Sequence, residues 1–222
     1  MIEVEYMSGV LELPHSPWPL SWGEAEMTIE IIALSGPRCC GKTTIAGHLV
    51  SNHGYTSIAF ADALRQIAGC GDANLENDRL YLARLGEQIR ELLPNFLLQV
   101  VQNRLAIIEG PVVIEDVRFP SELEFCRSIG AMTVRLSLPV EIQLERLASR
   151  DDKTGWVAEQ LIECKDEQEL SDVSSWDYQI PATGDFLVLA EELHKSMLNQ
   201  EINRERIQLH EDTGIVGCND GK

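Results

Sequence analysis

Residues 29 to 50 read IEIIALSGPRCCGKTTIAGHLV: an apolar run, a turn holding Gly36 and Gly41, and a run that forms a helix. A glycine gives up more conformational freedom on folding than any other residue and packs no side chain. Two of them in one turn mark a place that needs bare backbone. Main-chain N–H groups can converge on an anion only where no Cβ intervenes, and the start of a helix adds its positive end. The order strand, loop, helix is the frame in which that arrangement works, so this segment predicts an α/β fold that begins with a buried parallel strand.

The spacing Gly36-x-x-x-x-Gly41-Lys42-Thr43 is the P-loop signature, which cradles a chain of phosphates. Gly36, Pro37, Arg38, Cys39, Cys40, Gly41, Lys42, Thr43 and Thr44 are the expected nucleotide-binding residues. Lys42 is placed to reach the outer phosphates of ATP, and the Thr43 hydroxyl to hold Mg²⁺. Cys39 and Cys40 fill the variable positions.

The text after the loop alternates. Strands are expected at 29–35, 55–60, 111–116, 131–138 and 177–182. Helices are expected at 42–52, 62–69, 78–93, 95–107, 120–130, 140–150 and 186–199, with Pro94 parting two of them. This predicts a five-stranded parallel sheet with helices on both faces, the three-layer P-loop kinase fold. Residues 28–200 form the expected domain, with an acceptor-binding helical region at 62–108 and a small lid at 146–156. Residues 1–27, where Pro14, Pro17 and Pro19 surround Trp18, read as a poorly ordered extension, with Met27 as the biological start. Residues 201–222 read as a flexible tail.

The formal net charge is −18, from 18 basic and 36 acidic residues. Such a chain repels a polyanion on average, which weighs against nucleic acid as a partner without excluding a local positive cleft. The cations in mid-chain are mostly arginine, the residue suited to bidentate contacts with phosphate. Six cysteines contain no CxxC pair and the histidines are scattered, so no metal-ligand cluster is expected and the thiols read as reduced, in a cytoplasm. No apolar run approaches the roughly 20 residues of a membrane span.

Three further segments carry candidate chemistry. VVIEDVR ends a strand with Glu115 and Asp116, where strand C-termini of a parallel sheet face the ligand crevice. Asp116 either holds Mg²⁺ through water, orients an arginine, or caps a helix. LERLASRDDKTGW puts Arg146 and Arg150 four apart before a polar loop. Two guanidinium groups swinging over a nucleotide would neutralise a transferring phosphoryl group, while the plainer reading is a surface pair. Asp62, Arg65, Arg79, Arg84 and Arg90 flank the second substrate. The last three cannot share one helical face, so at least one points to solvent.

The segments ALSGPRCCGKTTIA, FADALR, RLGEQIRE, VVIEDVRFPSELEFCRSIGAMTVRL and DYQIPATGDFLVLAEEL together resemble the phage-type deoxynucleoside monophosphate kinases of the P-loop nucleoside monophosphate kinase superfamily. The resemblance covers most of residues 29 to 195. It implies ATP and Mg²⁺ on the P-loop and a deoxynucleotide in the acceptor cleft. Asp62, Arg65 and Arg90 would face the acceptor, Arg118 a phosphate, and Arg146 and Arg150 the lid. The family commonly has Asn-x-Gly before the last helix, where this chain has Ala182, Thr183 and Gly184.

The expected activity is phosphoryl transfer from ATP to a nucleotide acceptor, with Lys42, Asp62, Arg118, Arg146 and Arg150 acting by position and charge, in a monomer or homodimer. One alternative is a kinase acting on a hydroxyl, of a small molecule or of a modified base in phage DNA. Asp62 or Asp116 would then serve as base. The other is a nucleotide-hydrolysing switch, against which the absence of an Asn-Lys-x-Asp segment counts.

Overall fold

The structure, a computed structural model, describes residues 30–151, 169–170 and 172–213, without the side chains of 150, 151 and 201–213. The expected N-terminal extension, the lid beyond Asp151 and the side chain of Arg150 lie outside the described residues.

In chain order the elements are β1 (Ile31–Ser35), α1 (Lys42–His53), β2 (Thr56–Ile58), α2 (Ala61–Gly71), a 3₁₀ segment (Ala73–Asn77), α3 (Arg79–Leu92), α4 (Phe96–Leu105), β3 (Val112–Val117), α5 (Pro120–Ser128), β4 (Met132–Ser137), α6 (Val140–Asp151), β5 (Tyr178–Pro181) and α7 (Phe186–Thr213). The strands form one parallel sheet in the order β2-β3-β1-β4-β5. The five expected strands are present, and the α/β P-loop kinase fold read from the sequence is the fold of the chain.

Alternation along β1 explains why a sheet with two covered faces reads as an unbroken apolar run. Ile31 and Ala33 point into a core with Phe60, Leu97, Val101, Ile114 and Phe125, beneath α2, α4 and α5. Ile32 and Leu34 point into a second core with Ile45, Leu49, Val113, Val134, Leu193 and Met197, beneath α1 and α7. Successive strand residues face opposite sides, so a strand covered twice has no polar face to show.

β1 lies at the centre, and the chain leaves it toward both sheet edges. Pairing with β3 runs Ile31 to Val112 and Ala33 to Ile114, then shifts so that Ser35 faces Val117. The Ser35 hydroxyl donates to the Val117 carbonyl at 2.7 Å and accepts from the Arg135 guanidinium at 2.8 Å. That polar joint fixes where the strands end, and a doubly wound sheet opens its crevice there.

The closing helix differs from expectation. It does not stop at Asn199 but continues to Thr213, so much of the expected tail is helical. Residues 186–213 contain neither glycine nor proline, and the first breaker is Gly214. Polar text here signals a solvated helix rather than a frayed end. No described helix is long and apolar enough to cross a membrane.

Candidate active site

The loop between β1 and α1 is shaped by residues in unusual backbone conformations. Gly36 has φ +148°, and a Cβ there would lie 2.7 Å from the Leu136 carbonyl oxygen and 2.8 Å from Cys40 Sγ. Gly41 has φ +93°, and a Cβ there would lie 2.5 Å from the Phe186 ring. Between them Cys39 adopts φ +61°, which costs a non-glycine residue roughly 1–3 kcal/mol. Left-handed residues interrupting a turn bring successive amides onto one concave side, the arrangement that binds anions. The Lys42 ammonium is held inside this loop, donating to the carbonyls of Gly36 and Pro37, each at 2.7 Å, with Cys40 Sγ at 3.5 Å. A phosphate entering the loop competes with those carbonyls for the ammonium.

The loop opens into a cleft of ≈ 770 Å³. Residues 38–44 form one wall, α2 and α3 another, the end of β3 the floor, and α6 with Phe186 the far side. Arg38, Arg65, Arg79, Arg90, Arg118 and Arg146 join Lys42 in lining it, against only Asp116 and Glu145 among the described residues. A protein of net charge −18 thus concentrates cations around one cavity, where apolar Leu64, Leu82 and Phe119 also contribute. Low-dielectric walls focus that field onto an anion.

Thr43 and Thr44 are exposed at the mouth of the loop and line the cleft. Among the arginines of α3, Arg79 and Arg90 reach the cleft, while Arg84 is exposed and does not line it. Arg146 donates to the Cys39 carbonyl at 3.1 Å and to the Ala182 carbonyl at 3.2 Å, with its guanidinium 5.7 Å from the Phe186 ring centre. It ties α6 to the phosphate loop and to the turn before α7.

The two central carboxylates are engaged. Asp116 accepts from the N–H of Phe60 at 2.7 Å and of Ala61 at 2.8 Å, so it caps the start of α2. Burial raises its pKa above the usual carboxylate value, against the lowering effect of those bonds and of Arg118. Asp62 does not line the cleft. One of its oxygens takes Arg65 at 2.9 Å, and the other takes Arg104 at 2.8 Å and the Ala59 N–H at 3.0 Å. It acts as an anchor for two arginines.

A family model described as AAA domain matches residues 32–168, more than half of the chain. The chain belongs to the AAA domain family. No curated protein matches it. Among solved structures, TT1252 from Thermus thermophilus superposes with TM-score 0.54 at 19% identity, over 78% of this chain and 97% of that one. A gluconokinase from Sinorhizobium meliloti 1021 gives 0.49 at 16%, over 80% and 95%, and a shikimate kinase from Acinetobacter baumannii in complex with shikimate gives 0.47 at 20%, over 78% and 95%. The TT1252 likeness concerns the fold.

Two residues of this AAA-domain chain escaped the sequence reading of the site. Arg104, on α4, reaches Asp62 from 42 positions away. Glu122, on α5, is almost fully buried. It accepts from Arg90 at 2.6 Å on one oxygen, and from the N–H groups of Arg118 and Phe119 at 2.8 and 3.2 Å on the other. Arg90 also lies 3.8 Å from the Phe119 ring centre. Desolvation pushes the Glu122 pKa up to about 7, opposed by Arg90. The signal available in sequence was the third helical position after Phe119, where a glutamate reaches back to the helix start.

Proposed function

We propose that this AAA-domain protein transfers the terminal phosphoryl group of ATP to a deoxynucleoside monophosphate, giving the diphosphate. The observation that carries the reading is one cleft joining the phosphate loop to a second bank of arginines, Arg65, Arg79, Arg90 and Arg118. A nucleotide hydrolase needs only the first half of such a cleft. An anionic acceptor explains the second.

The residues fit ATP with Mg²⁺. The bare backbone at Gly36 and Gly41 leaves room for a phosphate chain, and Thr43 presents a hydroxyl at the mouth of the loop. Bound Mg²⁺ supplies charge neutralisation at the phosphates. The protein's part is positioning: Lys42 and Arg146 border the donor side, and Arg65, Arg90 and Arg118 the acceptor side. A phosphate acceptor ionises near pH 6 and needs no base to activate it. This matches Asp62, whose two oxygens are both taken by other groups of the chain.

A second reading, a hydroxyl acceptor, is favoured by one observation. Asp116 lines the cleft with a raised pKa, which strengthens it as a base once an oxygen is released from the Phe60 or Ala61 N–H. A coupled ADP-release assay separates the readings. The proposal expects turnover with one or more deoxynucleoside monophosphates and none with nucleosides, small alcohols or hydroxymethylated DNA. Turnover only with hydroxyl acceptors establishes the second reading, and release independent of any acceptor establishes hydrolysis.

A further inference from the structure

The histidines scattered in sequence meet on the side of α1 that faces α7. His48 and His53 both direct Nε2 at the same oxygen of Glu191, at 2.7 and 2.9 Å. These three ligand atoms lie within 4.8 Å of one another. His194 stacks on His53 with ring centres 3.9 Å apart, and the Tyr55 hydroxyl lies 3.3 Å from His194 Nδ1. The fold thus brings together three potential ligands that the sequence, which shows no metal-ligand cluster, keeps apart. The five-residue spacing of His48 and His53 conceals the site, because residues five apart do not share one helical face. Position 53 closes α1, and Glu191 comes from a helix more than a hundred residues later.

We propose that His48, His53 and Glu191 form a binding site for a divalent transition-metal cation, Zn²⁺ being the best match, which joins α1 to α7. Two imidazole nitrogens and one carboxylate oxygen are the donor set of a three-ligand zinc site with an open fourth position. Imidazole donors select such cations over Mg²⁺ and Ca²⁺, which prefer oxygen alone.

The two contacts with Glu191 require only a small opening. Bonds of about 2.0–2.1 Å in a tetrahedron set neighbouring ligand atoms about 3.3 Å apart. Each N···O contact must therefore widen by about half an ångström. Glu191 is 39% exposed and able to yield, while the two imidazoles, at 16% and 17%, are held in place. The Asn52 amide nitrogen faces His48 Nδ1 at 3.1 Å, which leaves the proton on Nε2. Metal binding needs that proton on Nδ1, so the exposed Asn52 amide, which also donates to the His48 carbonyl at 3.0 Å, must give up both contacts and turn its oxygen to receive it.

The site lies apart from the cleft and shares its frame. α1 begins at the phosphate loop, and α7 begins with Phe186, which packs on Gly41. A cation between the helices fastens both supports of the loop from behind.

The test uses untagged full-length protein with Mg²⁺ and an ATP analogue in excess, so that the phosphate site is filled. Co²⁺ is titrated with visible absorption as readout, and Zn²⁺ in competition with a chromophoric chelator. The proposal expects one equivalent bound, a tetrahedral Co²⁺ band without thiolate charge transfer, and a higher melting temperature with Zn²⁺. Glu191→Gln keeps a carbonyl oxygen to accept from both imidazoles while removing the anionic ligand. It and His53→Ala should lose affinity by roughly tenfold or more, with unchanged far-UV circular dichroism. No band, a thiolate charge-transfer band, or equal affinity in Glu191→Gln overturns the proposal.

Discussion

Glu122→Gln tests whether desolvation or ion pairing governs the buried carboxylate beside the cleft. The folded protein holds the Glu122 proton up to about pH 7, against an ordinary value of 4.5. Between those values the folded chain binds a proton that the unfolded chain has released. The contribution of Glu122 is thus fully present below pH 4.5 and is lost as pH rises toward 7. At about 1.4 kcal/mol per pH unit, the whole window amounts to about 3 kcal/mol. Glutamine keeps the shape and never ionises. The stability advantage of the wild type over Glu122→Gln should therefore shrink with rising pH, by about 2 kcal/mol between pH 5.5 and 8. Urea unfolding at a series of pH values measures it. An advantage that is constant, or that grows with pH, refutes the reasoning, because it would mean that the Arg90 ion pair outweighs the burial of the charge.

Gly41→Ala places a Cβ against the Phe186 ring at a backbone angle that resists any side chain. Nucleotide affinity by calorimetry should fall more than tenfold, and adding Phe186→Ala should restore only part of it, since the φ strain of roughly 1–3 kcal/mol remains. Arg146→Ala removes two hydrogen bonds from a charged donor, each worth about 1.5–3 kcal/mol. The expected outcome is a roughly ten- to hundredfold loss in kcat/KM for ATP with little change in acceptor KM, read by steady-state kinetics.

Much of the architecture was legible because it rests on local signals. The apolar runs at 31–35 and 112–114 are buried on both faces and so carry a strand's signature without its partner. Gly36 and Gly41 announce the phosphate loop, because only a missing Cβ allows that backbone. What was not legible depends on long-range closure. Asp116 could be placed at the crevice from its strand, but only the fold shows that it caps α2. Arg104 carries no motif and Glu122 only the helix-start signal, and their importance arises from the partners they meet, Asp62 and Arg90. The His48, His53 and Glu191 cluster needs α7 laid against α1, which no spacing within α1 reveals. The run past Asn199 was the reverse case: its helix-forming residues were in view, and their polarity masked them.

The central claim is that the amides of residues 38–43 and the Lys42 ammonium grip the phosphates of a donor nucleotide. A crystal structure with a non-hydrolysable ATP analogue and Mg²⁺ tests it most directly. The account predicts phosphates seated in the loop, with Lys42 Nζ moved from the Gly36 and Pro37 carbonyls onto phosphate oxygens. An analogue bound elsewhere, with Lys42 still on those two carbonyls, would contradict it.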